Sequence, residues 1–293
     1  MIASLRVSVW SACDLSCRYC HREGNRRPGR HLSDAELTTL VRAALPAGLR
    51  KVKITGGEPL LRPGFPAVLR ALCGWGLELS LTTNGTQLKT LATSIKEAGV
   101  AKVSVSLDTL WPQRFRQLTG QDALPHVLSG IFAARDAGLP LEINSLLLAH
   151  INDDEVTQLT AFAAAAGARL QFIELSPEGN SAEFYQRHHM SLDGLENWLS
   201  TNGETLEPAL SPADRPRYRC NGVEVSLCRW VQETPAGGRR RQGLRLAADG
   251  KVYGFAYGDP PRADLAVAVR AGVRDEALTR LWLAASGPSI NRR

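Results

Sequence analysis

Apolar and polar positions alternate in short runs along the first 175 residues, and each run is followed by a stretch with helical spacing. Leu5–Trp10 reads as a strand. Ser33, with Glu36 three residues on, forms a capping-box signature for a helix running to Ala44. The pattern then predicts a strand at Lys51–Thr55, a helix at Phe65–Cys73, a strand at Leu77–Thr82 and a helix at Leu88–Ala98. It continues with a strand at Lys102–Ser106, a helix at Leu124–Ala137, a strand at Leu141–Leu147, a helix at Asp153–Ala166 and a strand at Arg169–Leu175. Six strand–helix alternations predict a parallel α/β barrel or partial barrel. In such a fold the chemistry gathers at the C-terminal ends of the strands.

From Ser176 the alternation weakens. Ser191–Ser200 reads as a helix and Gly203–Arg217 as a polar loop. Leu244–Leu246 and Lys251–Phe255 form a hairpin around Asp249-Gly250, a favoured turn pair. Arg274–Ala285 reads as a last helix. We expect a barrel over residues 1–180 and a C-terminal extension over 181–293, packed on the barrel mouth, with no domain of its own.

Composition narrows the setting. The hydrophobic fraction of 44% over 293 residues is that of a globular chain able to bury a full core. There is no run of about 18 apolar residues, so no membrane span is expected, and the N-terminus does not read as a signal peptide. The six cysteines, three of them crowded together, point to a reducing, cytoplasmic setting and not to a disulfide framework. The net charge of +6 gathers in part at Arg22–Arg30 and Arg239–Arg245. Without interleaved aromatics it favours a small anionic partner over nucleic acid.

The chemistry starts at Cys13, Cys17 and Cys20, three thiols within eight residues directly after the first strand. Such thiolates suit a soft metal or an iron–sulfur cluster. A [4Fe–4S] cluster normally takes four cysteines, so three leave one iron open to a small molecule. A zinc site with His21 as fourth ligand, or unrelated buried thiols, are the alternatives. Gly56-Gly57-Glu58-Pro59, Thr82–Gly85 and Ser106–Asp108 all fall at predicted strand ends on the same side as the cysteine loop.

Cys-x3-Cys-x2-Cys followed by Gly-Gly-Glu-Pro resembles the radical S-adenosylmethionine (SAM) enzymes. The stretches LRVSVWSACDLSCRYC, KVKITGGEPLLR, LTTNG, VSVSLDTL, RFRQLTG, INSLLLAHINDDE, QFIELSPEG and LRLAADGKV are similar, in order, to the GTP 3′,8-cyclases of molybdenum cofactor synthesis. The resemblance implies a partial (β/α)6 TIM-type barrel holding a [4Fe–4S] cluster on Cys13, Cys17 and Cys20, with SAM on the open iron. One electron would then release a 5′-deoxyadenosyl radical that abstracts hydrogen from a substrate. It further implies SAM contacts from Tyr19, Gly56, Gly57, Glu58 and Ser106, and an electron donor such as flavodoxin or ferredoxin. Asn144 and Asp108, also at strand ends, either bind cofactor or cap a loop.

The resemblance breaks in the C-terminal part. The cyclases hold a second cluster there, and the matching positions are Gly238, Arg241 and Phe255, none an iron ligand. Cys220 and Cys228 lie nearby at a different spacing. Among positions that contact GTP in the family, Arg6, Thr82 and Arg245 match, Lys53 replaces an arginine, Glu142 replaces a lysine and Gly243 replaces an arginine. Lysine lacks the planar fork that grips phosphate, and Glu142 reverses a charge.

The expectation is therefore one cluster and a substrate other than GTP: a nucleotide-, nucleoside- or sugar-type metabolite in a pocket with Arg6, Lys51, Lys53, Arg245 and Arg239–Arg241. A peptide substrate and a non-catalytic cluster-binding protein are the alternatives. Cys220, Cys228, Tyr253, Tyr257, His21 and Glu142 all stand as candidate acid, base or hydrogen donor.

Overall fold

The computed structural model describes residues 1–21, 29–209, 215–229, 243–254 and 260–287. Six strands, β1 (Ser4–Ser8), β2 (Lys51–Thr55), β3 (Glu78–Thr83), β4 (Lys102–Ser106), β5 (Leu141–Leu147) and β6 (Arg169–Glu174), pair in parallel in their order along the chain. Between them run α1 (Asp34–Ala43), α2 (Phe65–Cys73), α3 (Leu88–Glu97), α4 (Pro112–Thr119), α5 (Leu124–Asp136) and α6 (Val156–Ala165). The fold is the expected α/β partial barrel.

Local chemistry explains the boundaries. The Ser33–Glu36 capping box forms in full, with the Glu36 carboxylate accepting from Ser33 N–H at 2.7 Å and Ser33 Oγ accepting from Glu36 N–H at 3.2 Å. Helix α4 lies in a stretch given no element in the sequence reading. Its signals are nonetheless present: Pro112 opens it, and Gly120, at φ +74°, closes it.

The C-terminal residues lengthen this sheet on both flanks. A hairpin of β8 (Arg217–Cys220) and β9 (Val223–Cys228), edged by β7 (Glu204–Glu207), adds β9 parallel to β6. On the other side β10 (Leu244–Leu246) lies parallel to β1, followed by the antiparallel β11 (Lys251–Tyr253) and β12 (Ala263–Asp264). The hairpin was not expected; β7 and β8 replace part of the loop read over Gly203–Arg217. Its turn is Asn221-Gly222 at φ +50° and +78°, the residue pair that two-residue hairpins favour. Helices α7 (Ala182–His188), α8 (Asp193–Asn202), α9 (Leu265–Arg270) and α10 (Asp275–Ala285) complete the chain. Trp282 of α10 is fully buried and donates to Leu40 O at 2.8 Å, which docks the C-terminal helix on α1.

The two faces of the parallel sheet differ. Leu5, Val7, Val52, Ile54, Leu79, Leu81, Val103, Val105 and Ile143 alternate onto one face and join the core beneath the helices. The residues between them are Arg6, Lys53, Ser80, Thr82, Lys102, Ser104, Glu142 and Asn144. A closed barrel fills its interior with branched apolar side chains. Here the face away from the helices is polar, so it can receive a polar ligand.

Candidate functional site

The cysteine loop leaves β1 and is held by backbone bonds from two sides. Gly57 N–H donates to Trp10 O at 2.7 Å and Glu58 N–H to Ala12 O at 2.8 Å. Ser16 N–H donates to Thr119 O at 2.8 Å and Arg18 N–H to Leu118 O at 3.0 Å. The latter are carbonyls of the last turn of α4, which have no acceptor role left inside the helix. A Cβ on Gly56 would stand 2.3 Å from Trp10 O, and one on Gly57 2.3 Å from Ala12 O. The glycine turn is therefore required by the close approach of the cysteine loop itself.

Glu58, expected to hold the methionyl end of SAM, is fully buried, and its carboxylate is taken up by protein. Oε1 accepts from Leu60 N–H at 3.0 Å and Thr83 Oγ1 at 2.7 Å, and Oε2 accepts from Asn84 N–H at 2.7 Å. It orders the Thr83–Gly85 turn and offers no surface to a ligand. Burial pushes its carboxyl up to about 7 against these three bonds.

All three thiols are free of disulfides; Cys13 and Cys20 are exposed and Cys17 is half-buried. Cys13 Sγ accepts from Leu15 N–H at 3.4 Å and from Asn84 Nδ2 at 3.7 Å. The atoms packed around the loop desolvate these sulfurs although the Cys13 side chain stays accessible, which raises the Cys13 thiol to about 11 and that of Cys17 to about 12, so ligation would displace a proton. Among the described residues, no three His, Cys, Asp or Glu side chains are gathered tightly enough to hold one metal ion. A cubane meets each thiolate with a different iron, so its sulfurs stand further apart than those around a single ion. An all-thiol, partly exposed trio with hydrogen-bond donors at the sulfur fits a cubane.

Tyr19 does not present its ring freely. Its hydroxyl donates to Asp108, whose other oxygen accepts from Leu146 N–H at 2.8 Å. Asn152 Nδ2 donates to Asp108 O at 2.6 Å. Asp108 thus caps a loop and anchors Tyr19, the second of its two expected roles. Burial raises its carboxyl to about 6 although both bonds oppose the shift.

Thr82 and Ser106 stand on the polar face at the C-terminal ends of β3 and β4, and Asn144, at the middle of β5, stands in register with Ser106. Thr82 Oγ1 and Asn144 Oδ1 are buried and have no hydrogen-bond partner. Unpaired buried oxygens are costly, and these two are left without a donor in the protein.

Further down the same face Arg6 stands in register with Arg245 on one side and Lys53 on the other. The Arg245 guanidinium lies 5.3 Å from the Tyr253 ring centre, and its Nε donates to Gly254 O at 2.9 Å. Arg6, Ser8, Arg245 and Tyr253 line a small cleft here. Burial, with Arg6, Lys102 and Arg215 nearby, drives the Lys53 ammonium down to about 8. Glu142 is not an isolated reversal of charge. Lys102 Nζ lies 2.8 Å and Ser104 Oγ 2.9 Å from its Oε1, and they outweigh burial to hold its carboxyl below the usual range.

One pocket expectation is corrected. Lys51 opens β2 at the opposite end of the strand and pairs with Glu78 at 2.7 Å, both more than half exposed. Cys220 stands opposite Val223 at the turn end of the hairpin, while Cys228 ends β9 opposite Ile173. Five residues of strand, about 16 Å, separate Val223 from Cys228, so the two thiols do not share a site. Gly238–Arg241, Phe255, Tyr257 and most of Arg22–Arg30 lie outside the described residues.

Comparison with known proteins agrees with this geometry. Residues 7–163 match the radical SAM superfamily. A probable GTP 3′,8-cyclase of Pyrococcus abyssi is 40% identical over 96% of this chain and 93% of its own length. The GTP 3′,8-cyclase of Rhodobacter capsulatus is 37% identical over 94% and 84%. Among solved structures, SuiB of Streptococcus suis bound to S-adenosylmethionine superposes with a TM-score of 0.67 at 14% identity, covering 96% of this chain and 65% of that one. AnSMEcpe with bound AdoMet and a peptide also gives 0.67, at 16% identity over 94% and 82%. The chain belongs to the radical SAM superfamily, in its GTP 3′,8-cyclase-like branch, and is an enzyme of reductive SAM cleavage. No helix among the described residues is long and apolar enough to cross a membrane.

Proposed function

We propose that this chain carries one [4Fe–4S] cluster, on Cys13, Cys17 and Cys20, and abstracts hydrogen from a nucleotide-, nucleoside- or sugar-type biosynthetic substrate other than GTP. When bound, the cluster supplies the electron that cleaves SAM to a 5′-deoxyadenosyl radical. Tyr19, Gly56, Gly57, Ser106 and Asn144 border the space for SAM. The Asn144 Oδ1 atom there needs a donor, which an amino group or ribose hydroxyl supplies.

The observation that carries the substrate reading is the row Arg245–Arg6–Lys53 across three adjacent strands, below the cofactor level on the polar face. Among the described residues Lys53 has no ion-pair partner, so an anionic group on the substrate would relieve the repulsion within the row. On the far side Glu142, compensated by Lys102, favours hydrogen-bond donors over phosphate. A substrate with a modest anionic charge and several hydroxyl or amino groups fits both walls. In this reading residues 1–180 form the catalytic barrel and 181–293 an extension without a second cluster. A small electron carrier such as flavodoxin or ferredoxin reduces the cluster, and the thiols stay unoxidised in the cytoplasm.

A second reading, GTP cyclisation itself, is favoured by the names of relatives 40% and 37% identical over most of this chain. One experiment separates the two: anaerobically reconstituted protein is titrated by calorimetry with GTP and with nucleoside monophosphates, and each mixture is then reduced in the presence of SAM. Tighter binding of monophosphates with no GTP-derived product supports a distinct substrate. A GTP product with a new bond between the 3′ and 8 positions would overturn it.

A further inference from the structure

Asn84 lies between the cysteine loop and the end of β3. Its Nδ2 donates to Asp14 Oδ1 at 2.7 Å and stands 3.7 Å from Cys13 Sγ. Its Oδ1 accepts from Thr86 N–H at 3.0 Å, and Thr86 Oγ1 donates its single proton to Asp14 Oδ2 at 2.6 Å. The Asp14 carboxylate, next in sequence to a cluster ligand, is thus held at both oxygens. The turn that presents Asn84 is fixed independently of its side chain, because Glu58 binds its backbone N–H at 2.7 Å.

We infer that Asn84 is a positioning residue that sets the reduction potential of the cluster, through the sulfur of Cys13 and the charge of Asp14. The inference rests on the proposed assignment of Cys13 as a ligand. A hydrogen bond to a ligating sulfur stabilises the added negative charge when one electron enters, and so raises the potential. A nearby carboxylate opposes that electron, and donors on both its oxygens lessen the opposition. In the reduction one electron passes from a low-potential donor to the cluster, with no proton and no leaving group. Asn84 acts on both terms in the same direction, whereas Thr86 acts only through Asp14.

The test is potentiometric titration, followed by electron paramagnetic resonance, of the anaerobically reconstituted protein without SAM, using dithionite as reductant. Asn84→Ala is expected to move the midpoint to more negative potential, Thr86→Val to move it the same way by less, and Asp14→Asn to move it positive. A midpoint unchanged in Asn84→Ala, at full iron content, would overturn the inference. Should Asn84→Ala fail to assemble the cluster, Asn84→Leu, near-isosteric but without N–H donors, decides in its place: a negative shift supports the inference and no shift overturns it. Absence of any cluster signal from the unaltered protein would instead refute the ligand assignment.

Discussion

Glu142 and Lys102 neutralise one another across adjacent strands of the polar face, with Nζ 2.8 Å from Oε1. The negative charge at residue 142 is therefore balanced on the polar face by a lysine of the adjacent strand. Glu142→Gln should leave Lys102 unpaired near Lys53 and lower stability by about 1–2 kcal/mol, between the values for exposed and buried pairs. Glu142→Lys should lower the melting temperature without ligand, raise affinity for nucleoside triphosphates, and regain stability on adding GTP. Unchanged triphosphate affinity would mean that the pocket does not overlap the cyclase site.

Lys53 gives the polar face a pH dependence. Its folded-state value of about 8 lies below the ordinary 10.5. Below pH 8 it is charged in both the folded and the unfolded chain, and the fold carries the full cost. Between about 8 and 10.5 the unfolded chain binds more protons, so this group's contribution to stability improves as pH rises. Lys53→Met should be more thermostable than the unaltered protein at pH 7, with the gap closing by pH 10. Affinity for an anionic ligand should fall as pH rises through about 8 in the unaltered protein, and that step should be lost in Lys53→Met.

The turn at Glu58 should be intolerant of a change that preserves shape. Glu58→Gln puts an amide NH2 against one of the N–H or O–H donors that now face a carboxylate. The expected cost is about 1–3 kcal/mol for a buried donor left without an acceptor. Denaturant unfolding measures it directly, and iron retained after reconstitution should fall with it, because Asn84 and the cysteine loop share the turn. Full stability in Glu58→Gln would show that the carboxylate is dispensable.

Much of the barrel was legible because β1–β6 each repeat with period two and each is followed by turn chemistry. Elements β2 and α2 begin and end where the pattern places them. The cysteine loop and its glycine turn were legible for the same reason: thiol spacing and strand ends are local facts. What depends on register was not. That Lys102 meets Glu142, or that Arg6 stands between Arg245 and Lys53, follows only from pairing strands far apart in sequence. That Glu58 lies beneath the Thr83–Gly85 turn and accepts from Leu60, Thr83 and Asn84 likewise follows from packing and not from the glycines before it. The β8–β9 hairpin carries its signal in Asn221-Gly222, a turn pair flanked by short runs that alternate apolar and polar residues. Asn84 was visible only as part of LTTNG, since its partners Asp14 and Cys13 lie about seventy residues earlier.

Replacing Cys13, Cys17 and Cys20 together with alanine should abolish the visible absorption of the reconstituted protein while leaving the fold intact, since all three sit on a loop outside the main core. Circular dichroism and an absorption spectrum read the two outcomes separately. A variant that kept the absorption would refute the ligand assignment.

The measurement that bears most directly on a single-cluster radical enzyme is iron and sulfide content of the anaerobically reconstituted protein, with 5′-deoxyadenosine assayed under dithionite and SAM on the same sample. The account predicts about four irons per chain, the content of one [4Fe–4S] cluster, together with deoxyadenosine. About eight irons, the content of two such clusters, would contradict it: a second cluster would then exist although Cys220 and Cys228 stand apart on their hairpin, and the case for a substrate other than GTP would fall with it.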